Sequence, residues 1–137
     1  MDADVAALGR RAVAARGWRW LPGMLAMSCD GPMQPVRLTG QPRPHWPDEY
    51  DWPHDLGLRT PDLSDTETLA RLLDLVRSMH NDADQVGVYR AFHSGEPYVR
   101  VDHGGAMAYL RGRTVAEALV VALEAAAKAK AEPPVTA

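Results

Sequence analysis

Residues 64–79 constrain the fold most, because they carry a helix start signal followed by a continuous apolar stripe. Ser64-Asp65-Thr66-Glu67 matches a capping box, in which a serine hydroxyl and a glutamate carboxylate accept hydrogen bonds from the first amides of a helix. Apolar residues then recur at helical spacing, at Leu69, Leu72, Leu73, Val76 and Met79. A helix with one apolar face must pack against another layer of structure.

Three strands are predicted to follow this helix. Residues 86–92 and 97–102 alternate in polarity around a turn at Ser94-Gly95-Glu96, and Gly104-Gly105 then leads into a third strand at Ala106–Arg111. Because side chains alternate across a strand, Val99 and Val101 are expected to face the core. Tyr98, Arg100 and Asp102 are then left on the opposite face.

Two more helices are predicted, one at each end of the chain. Residues 3–16 carry a helical stripe and stop at Gly17. Thr114-Val115-Ala116-Glu117 is a second capping box, and it precedes a stripe at Val115, Leu119, Ala122, Leu123 and Ala126. Residues 129–137 show no apolar periodicity and are expected to fray.

The segment between the first two helices predicts a hairpin. Trp18-Arg19-Trp20 alternates as a strand would, residues 24–28 continue it past Pro22-Gly23, and residues 36–38 return after a turn at residues 29–32. The predicted order is therefore α-β-β-(long loop)-α-β-β-β-α. The fold class is α+β, an antiparallel sheet packed by helices, as a single domain over residues 1–128.

Residues 39–62 are predicted to form the long loop. Pro42, Pro44, Pro47 and Pro53 interrupt helix and central strand alike, and the same stretch carries His45, Trp46, Tyr50 and Trp52. Disordered segments are poor in aromatic residues, so this loop is expected to pack along a surface or against a partner.

Bulk composition excludes several classes of protein. The net charge of −3 over 137 residues is not the basic footprint expected for binding duplex nucleic acid. A single cysteine, Cys29, fits a reducing compartment, and no run approaches the ~18 apolar residues of a membrane span. The sequence therefore predicts a soluble protein of the cytoplasm, with no membrane partner.

Three groups of residues are candidate binding sites. Trp18 and Trp20 could stack a base while Arg19 or Arg37 holds a phosphate, or the indoles could pack under the helices. His45, Trp46, Tyr50 and Trp52 could anchor a partner, or form a lid over the core. Tyr98 and Arg100 could join Arg90 and Asp102 in a polar cluster, or lie on a solvated sheet face.

The sequence contains no recognisable catalytic or metal-binding motif. Its five histidines lack the spacing of HExxH or paired CxxC sites, and neither Ser94 nor Cys29 lies in a nucleophile signature. We therefore expect a protein that is not an enzyme and that has no metal and no cofactor.

Three blocks resemble a group of uncharacterised small phage and prophage proteins. They are GWRWLPGM at residues 17–24, residues 61–77 with TLARLLDLVR, and TVAEALVVAL at residues 114–123. A looser likeness to the phage ABA-sandwich proteins rests on element order alone. The resemblance implies an accessory protein acting in the cytoplasm of a bacterial host, and residues 39–55 are longer and richer in Pro and Trp than in that group.

The expected function is counter-defence by binding. In one form the loop occludes a host defence protein, which predicts that Trp46 and Trp52 are exposed. In another, a homo-oligomer sequesters a small nucleotide ligand in a pocket lined by Trp18 or Trp20 with an arginine. The alternative is a nucleic-acid-associated or virion-assembly protein, which requires several arginines on one surface, drawn from Arg10, Arg11, Arg16, Arg19 and Arg37.

Overall fold

A computed structural model describes residues 3–28, 34–40, 42–43, 46–50, 52–81, 83 and 85–131. The described residues form three helices: α1 (Ala3–Ala14), α2 (Thr66–Met79) and α3 (Val115–Ala131). They also form eight strands: β1 (Leu25–Ser28), β2 (Val36–Arg37), β3 (Pro42–Arg43), β4 (Trp46–Tyr50), β5 (Arg59–Pro61), β6 (Gln85–Arg90), β7 (Pro97–His103) and β8 (Ala106–Arg111). The predicted α+β class is confirmed, and the element order agrees in outline.

The N-terminal sheet has the order β2-β1-β5 and is antiparallel throughout. Its β1–β2 hairpin was predicted, whereas the strand expected at Trp18-Arg19-Trp20 is wrong. The chain turns just before β1, where the Met24 amide donates to the Leu21 carbonyl at 3.2 Å. Pairing with the returning strand begins only at Gly23, whose φ of 99° suits a residue without a side chain.

Residues 39–62 are more ordered than the predicted loop. They contain the β3–β4 hairpin, a 3-10 helix at Leu56–Leu58, and β5, which pairs with β1. Proline is compatible with β5 because this strand lies at a sheet edge, where one side of the backbone needs no ladder partner. The turn predicted at residues 29–32 lies outside the described residues, as does His45.

A buried arginine on β5 forms hydrogen bonds with three neighbouring segments of the chain. Arg59 on β5 donates to the carbonyls of Ala26 at 3.2 Å and Gln34 at 3.0 Å, and its Nε lies 3.0 Å from an Asp55 carboxylate oxygen. Its side chain is almost fully buried. Hydrogen bonds to charged groups are the stronger kind, so this residue stabilises the edge where β5 joins β1.

The C-terminal sheet has the order β6-β7-β8 and is antiparallel, with a two-residue turn between β7 and β8 and a longer connection between β6 and β7. Its third strand has the predicted bounds, and β7 extends one residue further than expected. The first strand ends at Arg90, so Phe92 lies in the turn, where the Gly95 amide donates to Ala91 O at 2.8 Å. Gly95 has a φ of 71°, and this left-handed conformation closes the turn.

The helix caps agree with the sequence in kind but not fully in position. The N-cap of α2 is Asp65 rather than Ser64, and its carboxylate accepts from the Thr68 amide at 2.9 Å. Ser64 instead donates to Asp62. At α3, Thr114 accepts from the Glu117 amide as predicted, at 3.1 Å.

Two clusters of buried side chains hold the layers together. The larger lies between the helices and the C-terminal sheet and includes Leu72, Val76, Val99, Val101, Leu119 and Leu123. The smaller, the Met24 cluster, contains Met24, Ala26 and Leu38. Trp18 and Leu21 pack against both clusters, so they join the two parts of the core. Among the described residues, no helix is long and apolar enough to cross a membrane.

A candidate recognition surface on the C-terminal sheet

The C-terminal sheet presents nine residues on the side opposite the core, a surface that we call the outer face. Val99 and Val101 are buried against the helices, so strand alternation and the observed register place the intervening residues on the other side. The outer face comprises Gln85, Gly87 and Tyr89 from β6, Tyr98, Arg100 and Asp102 from β7, and Met107, Tyr109 and Arg111 from β8.

Three tyrosines form an aromatic cluster on this face. The Tyr98 ring lies between the other two, with its centroid 5.8 Å from Tyr89 in a stacked arrangement and 5.6 Å from Tyr109 in an edge arrangement. Tyr89 is 38% exposed and Tyr109 51% exposed, and the neighbouring Met107 is 48% exposed. The face is therefore unusually rich in accessible aromatic and sulfur-containing surface.

A glycine shapes one side of the cluster. A Cβ built on Gly87 would lie only 2.8 Å from Cε2 of Tyr89, because the tyrosine ring lies across the bare backbone of Gly87. The side-chain amide of Gln85, two residues before Gly87 on the same strand, donates to the Tyr89 hydroxyl at 3.5 Å. A larger residue at position 87 would displace the ring, so the glycine helps to hold Tyr89 in place.

The charged pair in the centre of the face neutralises itself. Arg100 Nε donates to an Asp102 carboxylate oxygen at 2.9 Å, and this hydrogen bond raises the pKa of the Arg100 guanidinium. Asp102 is mostly covered while Arg100 is about one third exposed. The pair fixes two polar side chains beside the tyrosines without giving the face a net charge.

Two depressions indent the outer face. One, of about 210 Å³, is lined by Tyr98, Tyr109 and Arg111 together with Ala91, Ser94 and Glu96 from the β6–β7 turn. The other, of about 510 Å³, is lined by Gln85, Arg100, Asp102, Gly105 and Met107. Beside the first, Phe92 projects from the turn at 96% exposure, with its ring 5.3 Å from that of His93.

The two N-terminal tryptophans pack inward rather than forming an open stacking platform. Their rings meet edge to face with centroids 5.3 Å apart, and Trp20 packs against the Met24 cluster. The indole nitrogen of Trp18 is buried and has no hydrogen-bond partner among the described residues. Arg19 points the other way, to Ser78 on α2, and donates to its hydroxyl at 3.1 Å.

Arg37 is occupied by an ion pair. It donates two hydrogen bonds to the Asp65 carboxylate, at 2.6 and 2.9 Å, and a third to the Gly23 carbonyl at 3.0 Å. This contact, together with hydrogen bonds from Thr68, holds the pKa of Asp65 well below its usual range. The same contact raises the pKa of Arg37. Arg37 therefore joins β2 to the start of α2.

The loop residues divide between described and undescribed positions. Trp52 is half-buried against the Met24 cluster, and its indole N–H donates to Thr39 O at 2.9 Å. The expectation that Trp52 is exposed is therefore wrong, because its side chain is half-buried against that cluster. Strand β4 begins at Trp46 and ends at Tyr50. The side chains of both residues lie outside the described part of the chain, as does His45.

The structure places Tyr98, Arg100 and Asp102 on one face, as the alternation predicts, and Arg90 on the other. Arg90 is one position past Tyr89 and points to the opposite side of the sheet, where it donates to Gly95 O at 3.1 Å. Sequence reasoning missed Tyr89, Met107 and Tyr109. The same two-residue alternation that placed Tyr98 also places these residues, once each strand's core-facing positions are fixed.

The arginines required for a nucleic-acid interface are partly neutralised. Arg11 pairs with Glu124 on α3, and the contact raises the pKa of Arg11, just as Arg37 pairs with Asp65. Arg19 is held by Ser78, while Arg10 and Arg16 are exposed. Among the described residues, no group of three or more His, Cys, Asp or Glu side chains is arranged to hold a metal ion.

Comparison with known proteins gives no match to a family model, to a curated protein or to a solved structure. The outer face is therefore interpreted from its own chemistry.

Proposed function

We propose that this protein is a non-enzymatic binding protein whose recognition surface is the outer face of the C-terminal sheet. The observation that carries the proposal is the exposed cluster of Tyr89, Tyr98 and Tyr109 beside Met107. Tyrosine, methionine and arginine are enriched at the cores of protein interfaces, and lysine, glutamate and aspartate are depleted there. The one aspartate of the face, Asp102, is paired with Arg100. The face has this composition, so its preferred ligand is another protein.

The charge and shape of the face support a protein partner over a nucleotide. Arg100 is already paired with Asp102, and Arg111 shares its depression with Glu96, so a phosphate would meet acidic groups as well as basic ones. The tyrosine-lined depression holds about 210 Å³, less than the roughly 300 Å³ at which small-molecule sites begin. The second depression, of about 510 Å³, is large enough, but the Asp102 carboxylate lines it beside Arg100 and disfavours a phosphate there. A partner side chain fits such a depression better than a whole nucleotide.

The proposed setting is a bacterial host cell, where the protein would act in counter-defence by occluding an immune effector. This part of the proposal rests on the resemblance of residues 17–24, 61–77 and 114–123 to small phage and prophage proteins. Occlusion needs affinity and complementarity but no chemistry. It therefore suits a surface built from aromatic side chains and a self-neutralised ion pair.

A capture experiment tests the surface. The tagged protein and a Tyr89→Ala/Tyr109→Ala variant are incubated with host extract, and retained proteins are compared quantitatively. We expect a partner retained by the original chain and reduced at least tenfold by the double substitution, since truncation of a central aromatic anchor costs about 2 kcal/mol or more. The matched control is Leu58→Ala, which removes an apolar side chain that is 76% exposed on a different part of the surface.

The same preparation separates the alternatives. Equal capture by the double variant and the original chain would contradict the proposed surface. A thermal shift on adding nucleotides would favour nucleotide sequestration, because a ligand at 100 times its Kd adds about 2.7 kcal/mol to stability. Binding of labelled DNA that weakens steeply with salt would favour the nucleic-acid alternative.

A further inference from the structure

Strand β8 is an open edge of the C-terminal sheet. Within the part of the chain that the structure describes, it pairs with β7 on one side and with no strand on the other, over the six residues Ala106–Arg111. Apart from Arg111 at its end the strand is uncharged, it contains no proline, and its pairing with β7 runs without a register shift. Charged side chains, prolines and bulges are the features by which natural edge strands avoid pairing with another chain. Apart from Arg111, β8 has none of them.

The direction of the backbone groups along β8 follows from one hydrogen bond. The Gly112 amide donates to Pro97 O at 3.2 Å, so position 112 faces β7. In an antiparallel ladder such positions alternate. Ala108 and Leu110 therefore also direct their amides and carbonyls toward β7, whereas Met107, Tyr109 and Arg111 direct theirs outward, away from the sheet.

The other edge of the same sheet is partly closed. Strand β6 directs the carbonyl of Val86 outward, and Arg77 at the end of α2 donates to it at 3.2 Å. The side chain of Arg77 therefore occupies a position that an added strand would need. A sheet that can grow at one edge only forms a closed pair, whereas two open edges would allow fibres.

We infer that two copies of this chain associate through β8, in antiparallel fashion about a two-fold axis at Tyr109. In this register Tyr109 lies opposite Tyr109 of the second copy, and Met107 lies opposite Arg111. The outward-facing amides and carbonyls of Met107, Tyr109 and Arg111 on each strand then have hydrogen-bond partners on the other copy. No charged side chain lies opposite one of like charge. The two three-stranded sheets become one six-stranded sheet.

This inference stands on the edge strand and not on the proposed function, although it extends the proposed surface. Because the two-fold axis is perpendicular to the sheet, both outer faces lie on the same side. The tyrosine clusters of the two copies meet at the Tyr109 pair. The result is a continuous aromatic surface about twice as wide as that of one copy.

Sedimentation equilibrium of the purified chain provides the first test. One chain has a mass of 15.0 kDa, so the expected particle is twice that mass at concentrations of tens of micromolar. Ala108→Lys should weaken dimerisation about two- to fivefold, because its side chain is exposed on the inner side and would bring two lysines within about 7–8 Å of each other. Tyr89→Ala, on β6, should leave the dimer intact.

A second variant guards against misfolding. Met107→Pro removes an amide that faces outward, so it should abolish the dimer while keeping the β7–β8 ladder and the circular dichroism spectrum. A chain that remains a monomer at several hundred micromolar would overturn the inference. So would a dimer whose affinity is unchanged by both Ala108→Lys and Met107→Pro.

Cross-linking tests the register. In a Cys29→Ser background, Tyr109→Cys places two thiols in a hydrogen-bonded pair, whose Cα atoms lie about 5.5 Å apart and within disulfide range. Met107→Cys places them four residues out of register, roughly 13 Å apart along the strand. Rapid oxidation of the first variant alone is expected, and the reverse result would overturn the Tyr109-centred register. Because these variants retain Tyr89 and Tyr98, failure of dimerisation would not by itself remove the proposed binding face.

Discussion

At the scale of single residues, Asp65 accepts hydrogen bonds from both a helix N-terminus and an arginine. Its carboxylate caps α2 through the Thr68 amide, accepts from the Thr68 hydroxyl, and receives two hydrogen bonds from Arg37. The guanidinium and the hydrogen bonds stabilise the charged form, which is why the pKa of Asp65 lies well below its usual range. One side chain thus links β2 to the first turn of α2.

This arrangement predicts how stability depends on pH. Because the folded pKa is depressed, the contribution of Asp65 is fully present above its unfolded pKa of about 3.9 and is lost as the pH falls toward the folded value. Asp65→Asn keeps a good capping residue but loses the charge, so it should lower the free energy of unfolding by about 1 kcal/mol at pH 7. That difference should shrink below pH about 4.

Urea denaturation at pH 7, 5, 4 and 3 measures the effect. Asp74→Asn is the matched control. Asp74 lies on the same helix and forms an exposed ion pair with Arg71, at 3.2 Å. This substitution should change stability by no more than a few tenths of a kcal/mol at any of these pH values. A difference between Asp65→Asn and the original chain that stays constant down to pH 3 would contradict the assignment.

At the scale of elements, α1 and β5 lie close together at a glycine. Gly9 is buried in α1, and a Cβ built on it would lie 2.9 Å from the carbonyl oxygen of Pro61 and 3.3 Å from Cβ of Thr60. The absent side chain therefore sets the distance between helix and strand. Gly9 lies on the same face of α1 as Ala12, which is also buried.

We predict that Gly9→Ala destabilises the protein, although alanine is the better helix former by about 1 kcal/mol. Overpacking against a backbone oxygen typically costs about 1–3 kcal/mol, so a net loss of about 1–2 kcal/mol is expected in thermal or urea unfolding. Ala7→Gly, at an exposed position of α1, measures the propensity term alone. A gain in stability for Gly9→Ala would show that the helix can move away without cost.

The elements also show how far the sequence predicts this fold. Strands β7 and β8 and helices α2 and α3 carry clear periodic patterns, and their observed bounds differ from the predicted ones by three residues at most. Strand β5 carries none, since Arg59–Pro61 is too short to alternate and its partner β1 is distant in sequence. The outer face was predictable in part for a different reason: the alternation of β7 identifies Tyr98 and Arg100, whereas Tyr89 and Tyr109 need the core-facing positions of β6 and β8 as well.

At the scale of the whole molecule, the two core clusters are joined by few side chains. Trp18 contacts both of them, and Trp20 contacts only the Met24 cluster. The helices surround the larger cluster, whereas Trp20 and Trp52 pack on the smaller one. Circular dichroism and tryptophan fluorescence therefore report mainly on different clusters.

The original chain should unfold in one transition, with coincident midpoints by both probes. Trp18→Ala removes a contact common to the two clusters, so it should lower the fluorescence midpoint more than the circular dichroism midpoint. Trp20→Ala should weaken the Met24 cluster and leave the midpoints closer together. Separate transitions in the unsubstituted chain would contradict a shared core.

Helix α3 has a consequence for how this chain is made. It provides more of the described buried apolar side chains than any other element, and it packs against α1, α2, β7 and β8. It is also the last of the described elements to leave the ribosome. The parts of α1 and α2 that pack on α3 therefore stay uncovered until residues 115–127 emerge, and a nascent chain stalled before that point is a natural target for chaperones and proteases.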